Sequence, residues 1–146
     1  MSSPRGAWAL TLAGLIPFVG LAAASVAGAA PFGLAPQPAL AAYGACILSF
    51  LGGARWGLAL ARDGVVDGGE LARATVPSLV GWAAILSPAV ALNVSFLILA
   101  FGLAAMWIWD VASAVRRGAP SWYPQLRTVA TAGAVSSLAT AAIWGG

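Results

Sequence analysis

Apolar residues fill this chain in five long stretches: Ala7–Ala29, Ala39–Leu60, Ala74–Leu92, Val94–Ala114 and Leu126–Trp144. A helix that crosses the hydrocarbon of a bilayer needs roughly 20 consecutive, mainly apolar residues. The pattern therefore predicts an all-α polytopic membrane protein with five transmembrane helices, forming a single membrane domain over residues 1–146. The connections hold most of the charged side chains, and they hold them unequally. Threaded back and forth five times, the chain puts its N-terminus, the second connection and the fourth connection on one side. That side holds Arg5, Arg62, Arg73, Arg116, Arg117 and Arg127, and Arg55 lies in the part of the second span nearest to it. The opposite side holds Pro31–Pro38, Ser87–Asn93 and the terminal glycines, with no charge. Basic residues concentrate on the cytoplasmic side of inner-membrane proteins. The expected topology is thus N-terminus cytoplasmic and C-terminus periplasmic. Four spans, or six, would break the asymmetry.

Composition supports this reading. Of the 146 residues, 61% are hydrophobic and 8% charged, against about 25% charged in a soluble domain. The isoelectric point near 10.0 reflects arginines beside spans. Arg62, Arg73, Arg116, Arg117 and Arg127 are expected to meet anionic lipid headgroups, and no basic stripe with interleaved aromatics suggests nucleic acid. The first stretch, followed by Ala27-Gly28-Ala29, also has the form of a cleavable signal sequence. Its apolar run exceeds the usual 7–15 residues of such signals, so a retained helix is expected. Pro17 predicts a kink near the middle of that helix. Asp63, Asp67 and Glu70 in the second connection lack the spacing of a calcium loop and are expected to pair with Arg62 and Arg73. Pro77 falls in the first turn of the third span, and Ser87-Pro88 ends it. The segment Gly118–Pro124, with Trp122 and Tyr123, is read as an interfacial stretch anchored at the headgroups.

Arg55 and Asp110 are the charges expected within spans. Arg55 stands seven residues before Arg62, and Asp110 six before Arg116, which sets both about 10 Å inside the same boundary. An isolated charge at the centre of a span costs at least about 2.5–3.5 kcal/mol, and pairing offsets that cost. Arg55 and Asp110 are therefore expected to form an ion pair between spans two and four. The pair serves either to fix helix register or as a polar site for an anion or a proton. Trp107, three residues before Asp110, is expected to stack on Arg55, with Trp56 beside them. Ser49, Gly52, Gly53 and Gly57 form a small-residue stripe for close helix packing. Further stripes run through Gly133, Ser137, Ala141 and Gly145, and through Gly20, Ala24 and Gly28.

Missing residue types narrow the chemistry. The chain has no histidine and one cysteine, Cys46. The usual ligands of haem, zinc and iron–sulfur clusters are lacking, and neither a phosphate loop nor a nucleophile elbow occurs. No cofactor, no metal site and no enzymatic activity are expected.

The run Tyr43-Gly-Ala-Cys-Ile-Leu-Ser-Phe-Leu-Gly-Gly-Ala-Arg-Trp-Gly57 resembles the signature of the transmembrane protein 69 family, whose bacterial members are grouped as a domain of unknown function. Gly14–Phe18, Pro77–Leu79 with Trp82, Asp110, and Trp122–Arg127 extend the likeness over nearly the whole chain. The resemblance implies five spans in a bacterial or mitochondrial inner membrane. It places Gly52, Gly53, Arg55, Trp56 and Asp110 in the family's motif, without giving them a role. The functional expectation is a non-catalytic accessory or assembly component of a larger inner-membrane complex, such as a respiratory one, in contact with other membrane proteins or further copies of itself. The alternative is a small transporter or a lipid-, quinone- or anion-binding protein that uses Arg55 and Asp110.

Overall fold

The computed structural model describes residues 4–61, 67–86 and 91–145. They form five α-helices: α1 (Pro4–Val26), α2 (Pro36–Leu60), α3 (Gly68–Leu86), α4 (Leu92–Arg116) and α5 (Trp122–Trp144), with a single 3-10 turn at Pro31–Gly33. Of these, α1, α2, α4 and α5 are long and apolar enough to cross a membrane. Large apolar side chains cover the outside: Leu10, Ile16, Phe50, Phe101 and Ile143 are all well exposed. A water-facing protein rarely offers apolar surface on this scale, whereas lipid demands it.

Several helix ends differ from expectation for local reasons. Helix α3 begins at Gly68, six residues before Ala74, because Asp67 caps it. Its carboxylate accepts the Gly69 N–H at 2.9 Å, and its carbonyl accepts those of Glu70 and Leu71. Asp67 followed three residues on by Glu70 has the spacing of a capping box. Pro77 consequently lies inside α3 and not in its first turn. The expected break at Ser87-Pro88, together with Arg62 and Asp63, lies outside the described residues. Helix α5 begins at Trp122, so the interfacial segment is shorter than expected and Arg127 sits inside the helix. Pro124 is accommodated there because N–H groups of the first turn have no partner within the helix. Pro17 lies within the continuous helix α1.

Two chain reversals use glycine in the left-handed conformation. At Gly28 (φ 62°) and Gly118 (φ 65°) the backbone makes paired bonds back into the helix, Ala29 to Ala24 with Gly28 to Ser25, and Ala119 to Ala114 with Gly118 to Val115. These are Schellman ends, which a side chain with a Cβ would strain.

The helices form a ring in chain order, α1–α2–α3–α4–α5, closed by α5 on α1, with α2 and α4 also touching across the middle. Phe18, Leu40, Leu48, Phe96, Leu99, Leu103 and Leu138 fill the core. Phe18 meets Tyr43 edge-on at 5.0 Å, and the Tyr43 hydroxyl donates to the Gly14 carbonyl at 2.8 Å, tying α1 to α2. The α2–α3 contact depends on small residues. A Cβ on Gly52 would lie 2.7 Å from the Ala74 carbonyl oxygen, and one on Gly81 would lie 3.0 Å from that of Ala45. Gly53 and Gly57, expected on the same stripe, have nothing within 4 Å of a Cβ and face outward. One residue shifts the helical face by about 100°, so Gly52 packs inward while Gly53 does not. Gly133 packs against Leu15, with Ser137 and Ala141 buried on the same face, so the α5 stripe meets α1. On α1 itself Phe18, Ala22 and Ser25 are buried, whereas Gly20 and Gly28 are open.

Gly52→Ala is expected to lower the thermal unfolding temperature in detergent. It overpacks a contact with backbone, which costs about 1–3 kcal/mol. Gly53→Ala on the neighbouring face should leave the temperature unchanged or slightly raised. Equal melting curves for the two variants would contradict the assigned packing.

Candidate functional site

Helices α2 and α4 run parallel, with Gly44 against Leu99 and Gly102 against Leu48. The same register carried two turns further brings Arg55 to Asp110. One guanidinium nitrogen of Arg55 lies 3.7 Å from Asp110 Oδ1, and another donates to Ser113 Oγ at 3.1 Å. Arg55 is 4% exposed and Asp110 6%, so both are buried. The predicted partners thus meet, but the pair is not alone. Arg127 donates its Nε–H to Asp110 Oδ2 at 3.0 Å, a shorter contact than that of Arg55. Arg127, expected among headgroups, is instead largely buried. Its helix starts five residues earlier, about 7.5 Å of rise, which carries the side chain inward.

One carboxylate thus lies between two guanidiniums, leaving one net positive charge in the cluster. The Nε of Arg55 and one terminal nitrogen of Arg127 are buried without a hydrogen-bond partner. A ring contact offsets part of this deficit: the Arg55 guanidinium carbon lies 4.2 Å from the ring centroid of Trp109, within cation–π range. Trp109 takes the place expected for Trp107. Arg55 reaches towards Ser113, and Trp109 lies four residues before Ser113 on the same face. Trp107 points elsewhere and donates its indole N–H to Thr128 at 2.9 Å, joining α4 to α5. Trp56 is 40% exposed on the outside of α2 and takes no part. Ser49 and Gly52 pack on α3, one to two turns from the cluster.

Towards the ends of the helices the cluster opens into two recesses. A small one, about 250 Å³, reaches Arg55 and Asp110 beside Trp122 and Tyr123. A larger open cleft of about 760 Å³ lies between α2, α3 and α4. It is lined by Arg55, Arg73, Arg116 and Arg117 with Glu70, Val76, Trp109 and Ser113. Arg116 donates to Ser113 Oγ at 3.4 Å, and Arg117 lies 3.8 Å from Glu70, an ion pair that reaches across from α3 to the end of α4. Arg73 pairs with Asp67 at 3.6 Å in an exposed contact, a kind worth little. Among the described residues no three His, Cys, Asp or Glu side chains gather as they would around a metal ion.

Fold and cluster together define a small helical membrane protein with a buried arginine–aspartate network. The chain belongs to the family described as protein of unknown function (DUF3429), whose model matches residues 3–143. It is similar to transmembrane protein 69 of Xenopus tropicalis, 39% identical over 141 residues, and of Mus musculus, 36% identical over 137 residues. These alignments cover 93% and 90% of this chain and 53% of each relative. The chain therefore spans about half the length of the curated relatives it matches. The resemblance carried by Tyr43–Gly57 is thereby confirmed. No solved structure matches the chain.

Removing the carboxylate should damage the protein more than removing either arginine. Asp110→Asn leaves two buried guanidiniums unbalanced, and breaking a buried ion pair costs about 3–5 kcal/mol. Arg55→Gln or Arg127→Gln leaves a one-to-one pair. Thermal unfolding in detergent should therefore rank Asp110→Asn lowest. A ranking with Arg127→Gln at wild-type stability and Arg55→Gln lowest would mean that Arg55 alone balances Asp110.

Proposed function

We propose that the chain is a five-span protein of a bacterial inner membrane, N-terminus cytoplasmic and C-terminus periplasmic, acting as a non-catalytic accessory or assembly component of a larger membrane complex. The observation that carries this reading is the contrast between a buried, internally paired polar centre and an open small-residue face. Arg55 and Asp110 are both under a tenth exposed and are engaged within the protein. Gly53 and Gly57 leave an open strip on the outside of α2, where another helix can approach closely. The absence of histidine and the single cysteine suit a protein that carries no redox group of its own. Arginine without lysine, in a chain rich in alanine and glycine, is in keeping with GC-rich bacterial coding.

Helix α3 counts as the fifth span in this reading. Its 19 residues rise about 28 Å, close to the thickness of a hydrocarbon core. Glu70 and Arg73 sit in its first two turns, at headgroup depth, and Gly52, Ala74 and Pro77 keep it against α2. Five spans put the two ends of the chain on opposite sides, whereas four put them together. Alkaline phosphatase fused after Gly146 is expected to be active and a green fluorescent protein fusion at the same point dark. The reverse pattern would remove α3 from the set of spans.

The second reading, ligand binding, is favoured by the recess that reaches Arg55 and Asp110. Native purification in a mild detergent with mass spectrometry separates the two. A stoichiometric protein partner, lost in Gly53→Leu and Gly57→Leu chains that still melt normally, is the result expected of an accessory subunit. A chain that purifies without a protein partner but with a retained small molecule would overturn the accessory role.

A further inference from the structure

The cleft between α2, α3 and α4 carries more positive charge than the protein balances. Its walls hold four guanidiniums and one carboxylate. Glu70 is engaged by Arg117. Arg73 meets Asp67 only in an exposed contact, Arg55 shares Asp110 with Arg127, and Arg116 meets the neutral hydroxyl of Ser113. Basic residues at the end of α4 are favoured by the helix dipole, which accounts for Arg116 and Arg117. It does not account for Arg73, which comes from the early turns of α3, or for Arg55, which enters from α2. With one carboxylate shared between two arginines and Arg116 meeting only a hydroxyl, four guanidiniums around one cleft favour an anion there. The floor is also suited to an anion: Arg55 and Ser113 are 4% and 3% exposed. The Ser113 hydroxyl, accepting from both Arg55 and Arg116, has its own proton to give.

We propose that this cleft binds a phosphate-bearing anion, with Arg73 and Arg116 as the outer ligands and Arg55 with Ser113 as the floor. Guanidinium matches phosphate geometry with two parallel N–H donors. The cleft opens at the C-terminal ends of α2 and α4 and the first turns of α3, which in the proposed topology is the depth at which lipid phosphates lie. A phosphodiester headgroup of an anionic lipid and inorganic phosphate offer the same chemistry. The inference goes beyond the accessory role and does not depend on it.

The test uses the full chain in a neutral detergent. Phosphatidylglycerol or phosphatidylcholine is titrated in mixed micelles and bound lipid counted by native mass spectrometry, and inorganic phosphate is titrated separately by calorimetry. Phosphatidylglycerol should bind one to one and in preference to phosphatidylcholine. Arg73→Gln and Arg116→Gln should each weaken it about fivefold, the effect of one arginine near a charged membrane surface. Arg5→Gln, which removes the same charge elsewhere, should change it little. Both cleft variants alter exposed side chains, and unchanged melting curves verify their folding. Phosphatidylglycerol binding that inorganic phosphate cannot displace identifies the lipid headgroup as the source, and direct phosphate binding with displacement identifies the free ion. The proposal fails if neither probe binds, or if phosphatidylglycerol is not preferred and phosphate does not bind. It fails equally if Arg5→Gln weakens binding as much as the cleft variants do.

Discussion

Among the described residues the carboxylate of Asp110 is the one acidic group in the middle of the bundle, and three helices meet on it. It belongs to α4, faces Arg55 of α2 on one oxygen and takes the Arg127 N–H of α5 on the other. Arg55 to Ser113 and Trp107 to Thr128 add polar ties at the same depth, and the remaining contacts are largely apolar and therefore tolerant of sliding. A charged contact that must be matched in a low-dielectric interior is not tolerant. It fixes the axial position of each helix to within a fraction of a turn. The parallel register of α2 and α4, the entry depth of α5 and the position of the arginine-lined cleft all follow from it.

Much of this architecture is legible in the sequence because hydrocarbon imposes simple demands. Five apolar stretches and their arginine-bearing connections give the number and order of the helices. Two charges at matching depths on parallel helices point to each other. The remainder depends on quantities that apolar length does not encode. Trp122, Tyr123 and Pro124 have the composition of an interfacial loop, yet a proline is permitted in a first helical turn and α5 starts there, four residues before Leu126. That difference of four residues carries Arg127 into the network. The start of α3 was legible in Asp67-Gly-Gly-Glu70, whose spacing is that of a helix cap.

The aromatic partner of Arg55 and the working glycine of α2 show a different limit. Trp107 and Trp109 lie on different faces of α4, and Gly52 and Gly53 on different faces of α2. Choosing between members of either pair requires the direction from which the neighbouring helix approaches. Arg55 enters from the Ser113 side, which selects Trp109, and α3 lies against Ala45, Ser49 and Gly52, which leaves Gly53 outside. These are properties of the ring as a whole and are absent from any single span.

The closure of the ring by α5 on α1 has a consequence for how the protein is made. Around a ring of five alternating helices one pair of neighbours must be parallel, and here it joins the first helix to the last. A chain leaving the ribosome N-terminus first delivers Arg55 before either Asp110 or Arg127 exists. The arginine must remain near the boundary, its stem extended towards water, until α4 brings its counter-charge. Helix α1 then has α2 but not α5 beside it until α5 is made. The ring is thus completed by α5, and a chain that stops before α5 leaves α1 half covered and the nascent network with one arginine and one aspartate in balance.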